Sequence, residues 1–206
     1  HTNCGNHVSV GCTQRYKALE ISLGKRMSNH WQMQGSYVWS RLDGDRVLDF
    51  TDPNNLTDGM ASGRGANDQP HAFKLLGSYQ APWGINVGAN YQALSGLPRD
   101  RTLSVGLTQG TSTLLVEQRG NYRADFISLL SLRADKGVRF GRGHRASFVA
   151  ELHNVLNSSA GQSSFGTVTR NNATQAAFEA SMKTVSYFGR VQEIVAPRVL
   201  KIGFKF

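Results

Sequence analysis

Five carboxylates crowd one stretch of this chain: Asp43, Asp45, Asp49, Asp52 and Asp58 all fall within LDGDRVLDFTDPNNLTDG. Clustered carboxylate oxygens can hold calcium. The spacing lacks the glycine and the terminal glutamate of an EF-hand loop, so a solvated loop is the simpler reading. Glu151 and His153 stand at alternate positions, as do Arg133 and Asp135. A carboxylate beside an imidazole is the raw material of acid–base catalysis. No nucleophile motif accompanies them: GxSxG, HExxH and the phosphate-binding loop are all missing. Charges sharing one face of a strand are expected to pair with one another, so neither an enzyme nor a bound cofactor is expected. Cys4 and Cys12 lie eight apart in a segment rich in Gly, Asn and Ser. A disulfide would close a loop there if the chain lies outside the cytoplasm. Metal binding would need more ligands; His1 and His7 are near, but in no familiar spacing. Asn55, Asn157 and Asn172 match the glycosylation pattern, a three-residue motif read here as noise.

The formal net charge of +9 invites a nucleic-acid partner. The Lys and Arg residues are scattered, however, with no dense basic tract and no nucleic-acid motif, so none is expected. An anionic outer leaflet suits such charge equally well. No run of about 18 apolar residues occurs, which excludes a membrane-spanning helix. A mean hydropathy of −0.36 looks soluble. A membrane β-barrel also looks polar on average, because only alternate residues of its strands meet lipid.

The elements that position these residues announce themselves by alternation. Successive side chains of a strand point to opposite faces, so period two marks one apolar and one polar face. In YKALEISLGK, Leu19, Ile21 and Leu23 oppose Ala18, Glu20, Ser22 and Gly24. In WQMQGSYVWS, Trp31, Met33, Tyr37 and Trp39 oppose Gln32, Gln34, Ser36 and Ser40. Trp and Tyr at the ends of an apolar face suit the aromatic girdles of membrane barrels. HAFKLLGSYQ sets Phe73, Leu75 and Tyr79 against Lys74, Ser78 and Gln80, and His71 after Pro70 marks a strand start at the external rim. After an APWG turn, INVGANYQA sets Ile85, Val87, Ala89 and Tyr91 against Asn86, Gly88, Asn90 and Gln92. DFISLLSLRADK places Phe126, Leu130 and Leu132 on one side, although Ile127 and Leu129 blur the other. RASFVAELHNVLN sets Phe148, Ala150 and Leu152 against Ser147, Glu151 and His153. RVLKIGFKF closes the chain with Leu200, Ile202, Phe204 and Phe206 opposite Lys201, Gly203 and Lys205.

These make seven strands with links sorted by parity. Short links around Met27–His30, Ala81–Gly84 and Gly137–His144 alternate with long ones at Arg41–Gln69, Gly96–Asn121 and Ser158–Pro197. Short periplasmic turns and long external loops are the outer-membrane pattern. A soluble sandwich has no reason to sort its loops so, and would bury Trp31, Phe73 and Phe204 in a dry core. The fold class expected is all-β, an antiparallel up-and-down transmembrane β-barrel segment. A sheet in hydrocarbon must close, and single-chain bacterial barrels use an even strand number of at least about eight. The chain also opens on His1 without a start methionine or signal peptide. Residues 1–206 are therefore expected to be the C-terminal part of a larger barrel, with earlier strands and a plug upstream.

Three stretches, YKALEISLGKRMSNHWQMQGSYVWS, DQPHAFKLLGSYQAPWGINVGANYQALSGLP and the pair ELHNVLN and FGRV…APRVLKIGFKF, resemble the late barrel strands of TonB-dependent receptors of the Oar-like group. Gln69 stands where that family often has Arg before Pro-His. The resemblance implies a plugged barrel of about 22 strands that takes up a large substrate with energy from an inner-membrane coupling protein. It implies an outer-membrane assembly signal at Phe206, Phe204, Ile202 and Leu200, read by the barrel-assembly machinery. It also implies outer-membrane lipid and lipopolysaccharide as surroundings. An outer-membrane surface protein for adhesion or secretion, without energised transport, is the alternative. The external loops match poorly and name no ligand.

Overall fold

The computed structural model describes residues 14–45, 62–107, 110–115, 117–118, 120–140, 144–164, 167–170 and 189–205. In chain order the strands are β1 (Gln14–Ser28), β2 (Trp31–Asp45), β3 (Ser62–Arg64), β4 (His71–Ala81), β5 (Ile85–Leu94), β6 (Pro98–Arg99), β7 (Thr102–Leu107) and β8 (Gly110–Leu115). There follow β9 (Tyr122–Arg123), β10 (Ile127–Phe140), β11 (His144–His153), β12 (Gly161–Ser164), β13 (Thr167–Arg170), β14 (Val191–Ile194) and β15 (Val199–Lys205).

One sheet runs β1-β2-β4-β5-β10-β11-β15, with β3 added to the outer end of β2. Every neighbour along this path pairs antiparallel, so the seven expected strands are all present in up-and-down order. The expected parity of the links holds as well. β1 and β2 are joined through Asn29 and His30, both with positive φ (50° and 67°). Two consecutive left-handed residues make the type I′ turn whose twist matches a hairpin. β4 and β5 are joined by Pro82–Gly84, with Trp83 and Gly84 also left-handed. β10 and β11 meet at this same end, where Phe140 pairs with His144, and the β2–β4, β5–β10 and β11–β15 connections leave from the opposite end.

Two details differ from the sequence reading. The stretch 137–144 is mostly strand: β10 runs on to Phe140 and β11 starts at His144, because Val138 and Phe140 keep the alternation. Phe126 precedes β10 rather than belonging to it, and is exposed. The long connections are also more regular than loops. β6 pairs β9 just beyond the β5–β10 ladder, β12 pairs β14, and β7 pairs both β8 and, in parallel, β13.

Cross-strand pairing carries the apolar face unbroken around the sheet. Leu23, Gly35, Leu75, Tyr91 and Leu130 form one row; Ala89, Leu132, Leu152 and Leu200 belong to another. A barrel in lipid turns its apolar face to the hydrocarbon, so this is the outward face, and nothing among the described residues covers it. Ile202 is 78% exposed, Leu23 65% and Phe204 60%. Trp31 and Phe204 thus lie on an open apolar surface instead of in a sandwich core. Between Trp31 and Trp39 the outward face of β2 extends about 26 Å along the strand. At a strand tilt near 40° that is roughly 20 Å along the membrane normal, close to the apolar band of a membrane barrel.

Candidate functional site

The polar face answers the apolar one row by row. Gln32, Ser78 and Gly88 continue across the sheet to Arg133, Glu151 and Lys201. Gln34, Asn90 and Ser131 share a neighbouring row. Shallow hollows lie on this face, one against Ser22, Gly24, Gln32 and Gln34, another against Asn90, Ser131, Arg133 and Glu151. The charged groups singled out from sequence meet here: Arg133 pairs with Glu151 and Asp135, while His153 Nε2 stands near Glu151 without a hydrogen bond. Arg133 Nη1 donates to Glu151 Oε1 at 2.8 Å, and Arg133 Nε lies 3.8 Å from Asp135 Oδ1. Asn86 donates to Asp135 at 3.0 Å, and His153 approaches Glu151 at 3.7 Å. Arg133, Glu151 and Lys201 alternate in sign across three adjacent strands. Such pairing neutralises these groups locally, while Lys74, Arg139 and Lys205 on the same face keep the wall basic. Glu151 is held between a guanidinium and an imidazole.

One row of the polar face is apolar: Val38, Ala72, Leu94 and Ile127 stand side by side near the external end. Reading each strand alone flagged only Ile127 and Leu129. The row emerges only from the register between strands.

Above it, the external rim is stitched together by side chains bonded to backbone. Asp68 has a fully buried side chain that accepts from Leu42 N at 2.7 Å and pairs with Arg123 Nη2. Arg123 Nη1 donates to Asp68 O (2.9 Å) and Gly96 O (3.2 Å), so one guanidinium holds two connections. A Cβ on Gly96 would collide with the Ala124 carbonyl, which is why glycine occupies this crossing. Gln69, the position that departs from the family pattern, donates from Nε2 to Ser95 O at 3.3 Å, and its own carbonyl accepts from Ser40 Oγ at 2.7 Å. His71 opens β4 as expected, its Nδ1 2.8 Å from the Tyr37 hydroxyl. Burial pushes the Glu117 carboxyl up, but hydrogen bonds from Asn121, Arg101 and Tyr122 outweigh it and hold the group below its usual range.

The NVLN stretch closes the base of the last connection. Asn154 leaves β11 in the left-handed region (φ 49°) with its side chain buried. Its Nδ2 donates to Ser158 O (2.9 Å) and Ala196 O (2.8 Å), and its Oδ1 accepts from Ser158 N (2.9 Å). Asn157, also left-handed, accepts from Arg198 N at 3.3 Å. Asn154→Ala should therefore cost about 1–3 kcal/mol by orphaning buried backbone groups. Asn154→Gly removes the backbone strain but not this loss. Urea unfolding of the two variants should show both destabilised, and a Gly variant as stable as wild type would mean the clasp is idle.

Of the clustered carboxylates, Asp43 is engaged by Arg41 and by Arg64 (3.1 Å), which accounts for it without a metal. Asp45 ends β2; Asp49, Asp52 and Asp58 lie outside the described residues. So do Cys4, Cys12 and Phe206. Leu200, Ile202 and Phe204 point outward from β15, opposite Leu152, Ala150 and Phe148, with the Phe148 and Phe204 rings 5.0 Å apart. Asp68, Arg123 and Gly96 were not foreseen. Their partners lie 26 to 55 residues away, and the local sequence shows only an ordinary turn.

Residues 5–99 match the family described as an outer membrane beta barrel domain. That stretch includes the barrel strands β1, β2, β4 and β5. No curated protein and no solved structure was found to match the chain. With an apolar outward face, a polar inner face and sorted connections, the chain is an antiparallel transmembrane β-barrel segment. Its place is the bacterial outer membrane.

Proposed function

We propose that this segment forms the C-terminal part of a TonB-dependent receptor barrel of about 22 strands, Oar-like in type, for energised uptake of a large substrate. The observation that carries this reading is the polar inner face, broken only by one apolar row near its external end, beneath a stitched external rim. β1 and β15 are not paired with each other among the described residues, which suits a wide barrel needing further strands. In this reading the external connections capture the ligand. Force from an inner-membrane coupling protein then rearranges a plug, and the ligand passes along the polar wall. No residue performs covalent chemistry.

The alternative, a surface protein without energised transport, draws support from the paired strands β7, β8 and β13 outside the barrel. Growth tests on iron chelates, saccharides, peptides and vitamins separate the two. Loss of this protein and loss of the coupling protein should abolish growth on the same nutrient, without additive effect. Unimpaired growth on every nutrient, together with lost surface adhesion, would establish the alternative.

Removing Phe206 should lower the folded protein in the outer membrane while leaving refolding in detergent nearly intact. Normal membrane levels would show that the assembly machinery does not read this end.

A further inference from the structure

The β10–β11 hairpin outruns its neighbours at the end of the short links, which is the periplasmic one. The β4–β5 tip, Ala81 with Ile85, lies two residues beyond the pair of Trp31 and Tyr79, where β2 begins. A step of that size is the stagger of tilted strands. The β10–β11 tip lies four residues further, because Lys136 pairs with Ile85 and the hairpin runs on to Phe140 and His144. Four residues span about 13 Å along a strand. Over residues 138–140 and 144–146 the two strands pair only with each other among the described residues.

This projecting piece is basic. Between Asp135 and Glu151 the chain carries Lys136, Arg139, Arg142 and Arg145 and no carboxylate. The two flanking carboxylates are both engaged by Arg133. The neighbouring turn, Pro82–Gly84, has no charged residue. Arg139 is exposed and stands directly opposite Arg145, their Cα atoms about 5 Å apart. Like charges so placed weaken the pairing of their strands. Among the described residues no carboxylate pairs across from either, so an anion from outside the sheet would stabilise the tip.

Parity says where that anion must come from. Positions 139 and 145 continue the inner face that holds Arg133 and Glu151, whereas Val138, Phe140, His144 and Ala146 take the outward positions. Lipid headgroups around the barrel therefore meet no arginine of this stretch; both arginines are placed on the side of the lumen. A two-stranded tip is about 5 Å wide. It cannot supply the roughly 800 Å² per partner that a stable protein interface buries. A repetitive polymer needs no such area, because many copies of the barrel in one membrane engage it at once. We propose that the Arg139–Arg145 pair docks on the carboxylate-bearing stem peptides of the cell-wall polymer beneath the outer membrane. A guanidinium offers a planar fork to a carboxylate, and two carboxylates held there remove the repulsion across the hairpin.

The test cosediments the intact protein, in a neutral detergent, with purified cell-wall sacculi and with sacculi whose carboxylates have been amidated. Wild type should pellet with the untreated sacculi and lose most of that binding to the amidated ones. A folded R139Q/R145Q should bind about tenfold more weakly. R15Q/K17Q, which removes two cations at the opposite end of the barrel, should bind like wild type. Heat-dependent gel mobility verifies that each variant is folded. Wild type that stays in solution would overturn the proposal and turn attention to an acidic protein segment. Equal pelleting with both kinds of sacculi would overturn it too, and that comparison decides the matter even if R139Q/R145Q fails to fold. So would a folded R139Q/R145Q that binds like wild type, or an R15Q/K17Q that binds as weakly.

Discussion

Ile202→Arg is expected to destabilise the barrel by about 2–4 kcal/mol, the cost of a cation at the lipid face near mid-membrane. Lys201→Arg, one residue away, should cost little. The contrast follows from parity alone. Ile202 pairs with Ala150 on the outward face and is open to whatever surrounds the sheet. Lys201 pairs with Glu151 on the inner face, within the alternating row of Arg133 and Glu151. An added guanidinium at position 201 keeps the sign of the charge and gains a second donor for Glu151. At position 202 it must either snorkel along the wall or thin the bilayer. Reversible urea unfolding of the intact protein in lipid vesicles measures both. Equal costs for the two substitutions would mean that the register of β15 is wrong.

The second large effect belongs to the external rim. Asp68→Ala should cost on the order of 3 kcal/mol, because it leaves the Arg123 guanidinium and the Leu42 amide without their shared acceptor. The Arg123 side chain retains 29% exposure, so water softens the loss and the upper end of the usual range for buried pairs is not reached. Asp68→Asn keeps an acceptor for Leu42 N and should fall between the two. Since Asp68 ties the end of β2 to β9, the same variant should also admit protease to the external connections in intact cells. A loss below about 0.5 kcal/mol, ordinary for surface changes, would contradict a binding role for this pair in the rim.

The seven barrel strands were legible because each obeys a local rule of period two, and lipid enforces that rule on one face of every strand. YKALEISLGK and WQMQGSYVWS show it without any knowledge of their neighbours. The alternation of short and long links was legible for the same reason, since link lengths can be read between strands already placed. What escaped is nonlocal. β12 and β14 pair across a connection whose intervening residues give no sign of it, and each is only four residues long. TLSVGL does alternate, but it is only six residues long against the ten or so of the barrel segments, and GTSTLL beside it does not alternate. The polar network on the inner face was half legible: Arg133 with Asp135 and Glu151 with His153 were visible as neighbours on their own strands. Their meeting depends on Arg133 falling opposite Glu151, and that register is set by the whole sheet. Asp68 and Arg123 were invisible, because a buried ion pair joining two loops leaves no periodic trace.

Cysteine scanning of β15 in the intact protein, with Cys4 and Cys12 replaced by serine, tests the barrel most directly. Positions 200 to 204 would be labelled one at a time with a nitroxide, and their access to oxygen and to a water-soluble relaxant compared in native outer membranes. Leu200, Ile202 and Phe204 should report lipid, and Lys201 and Gly203 should report water. A profile without alternation, or water at all five positions, would contradict a membrane-spanning barrel wall.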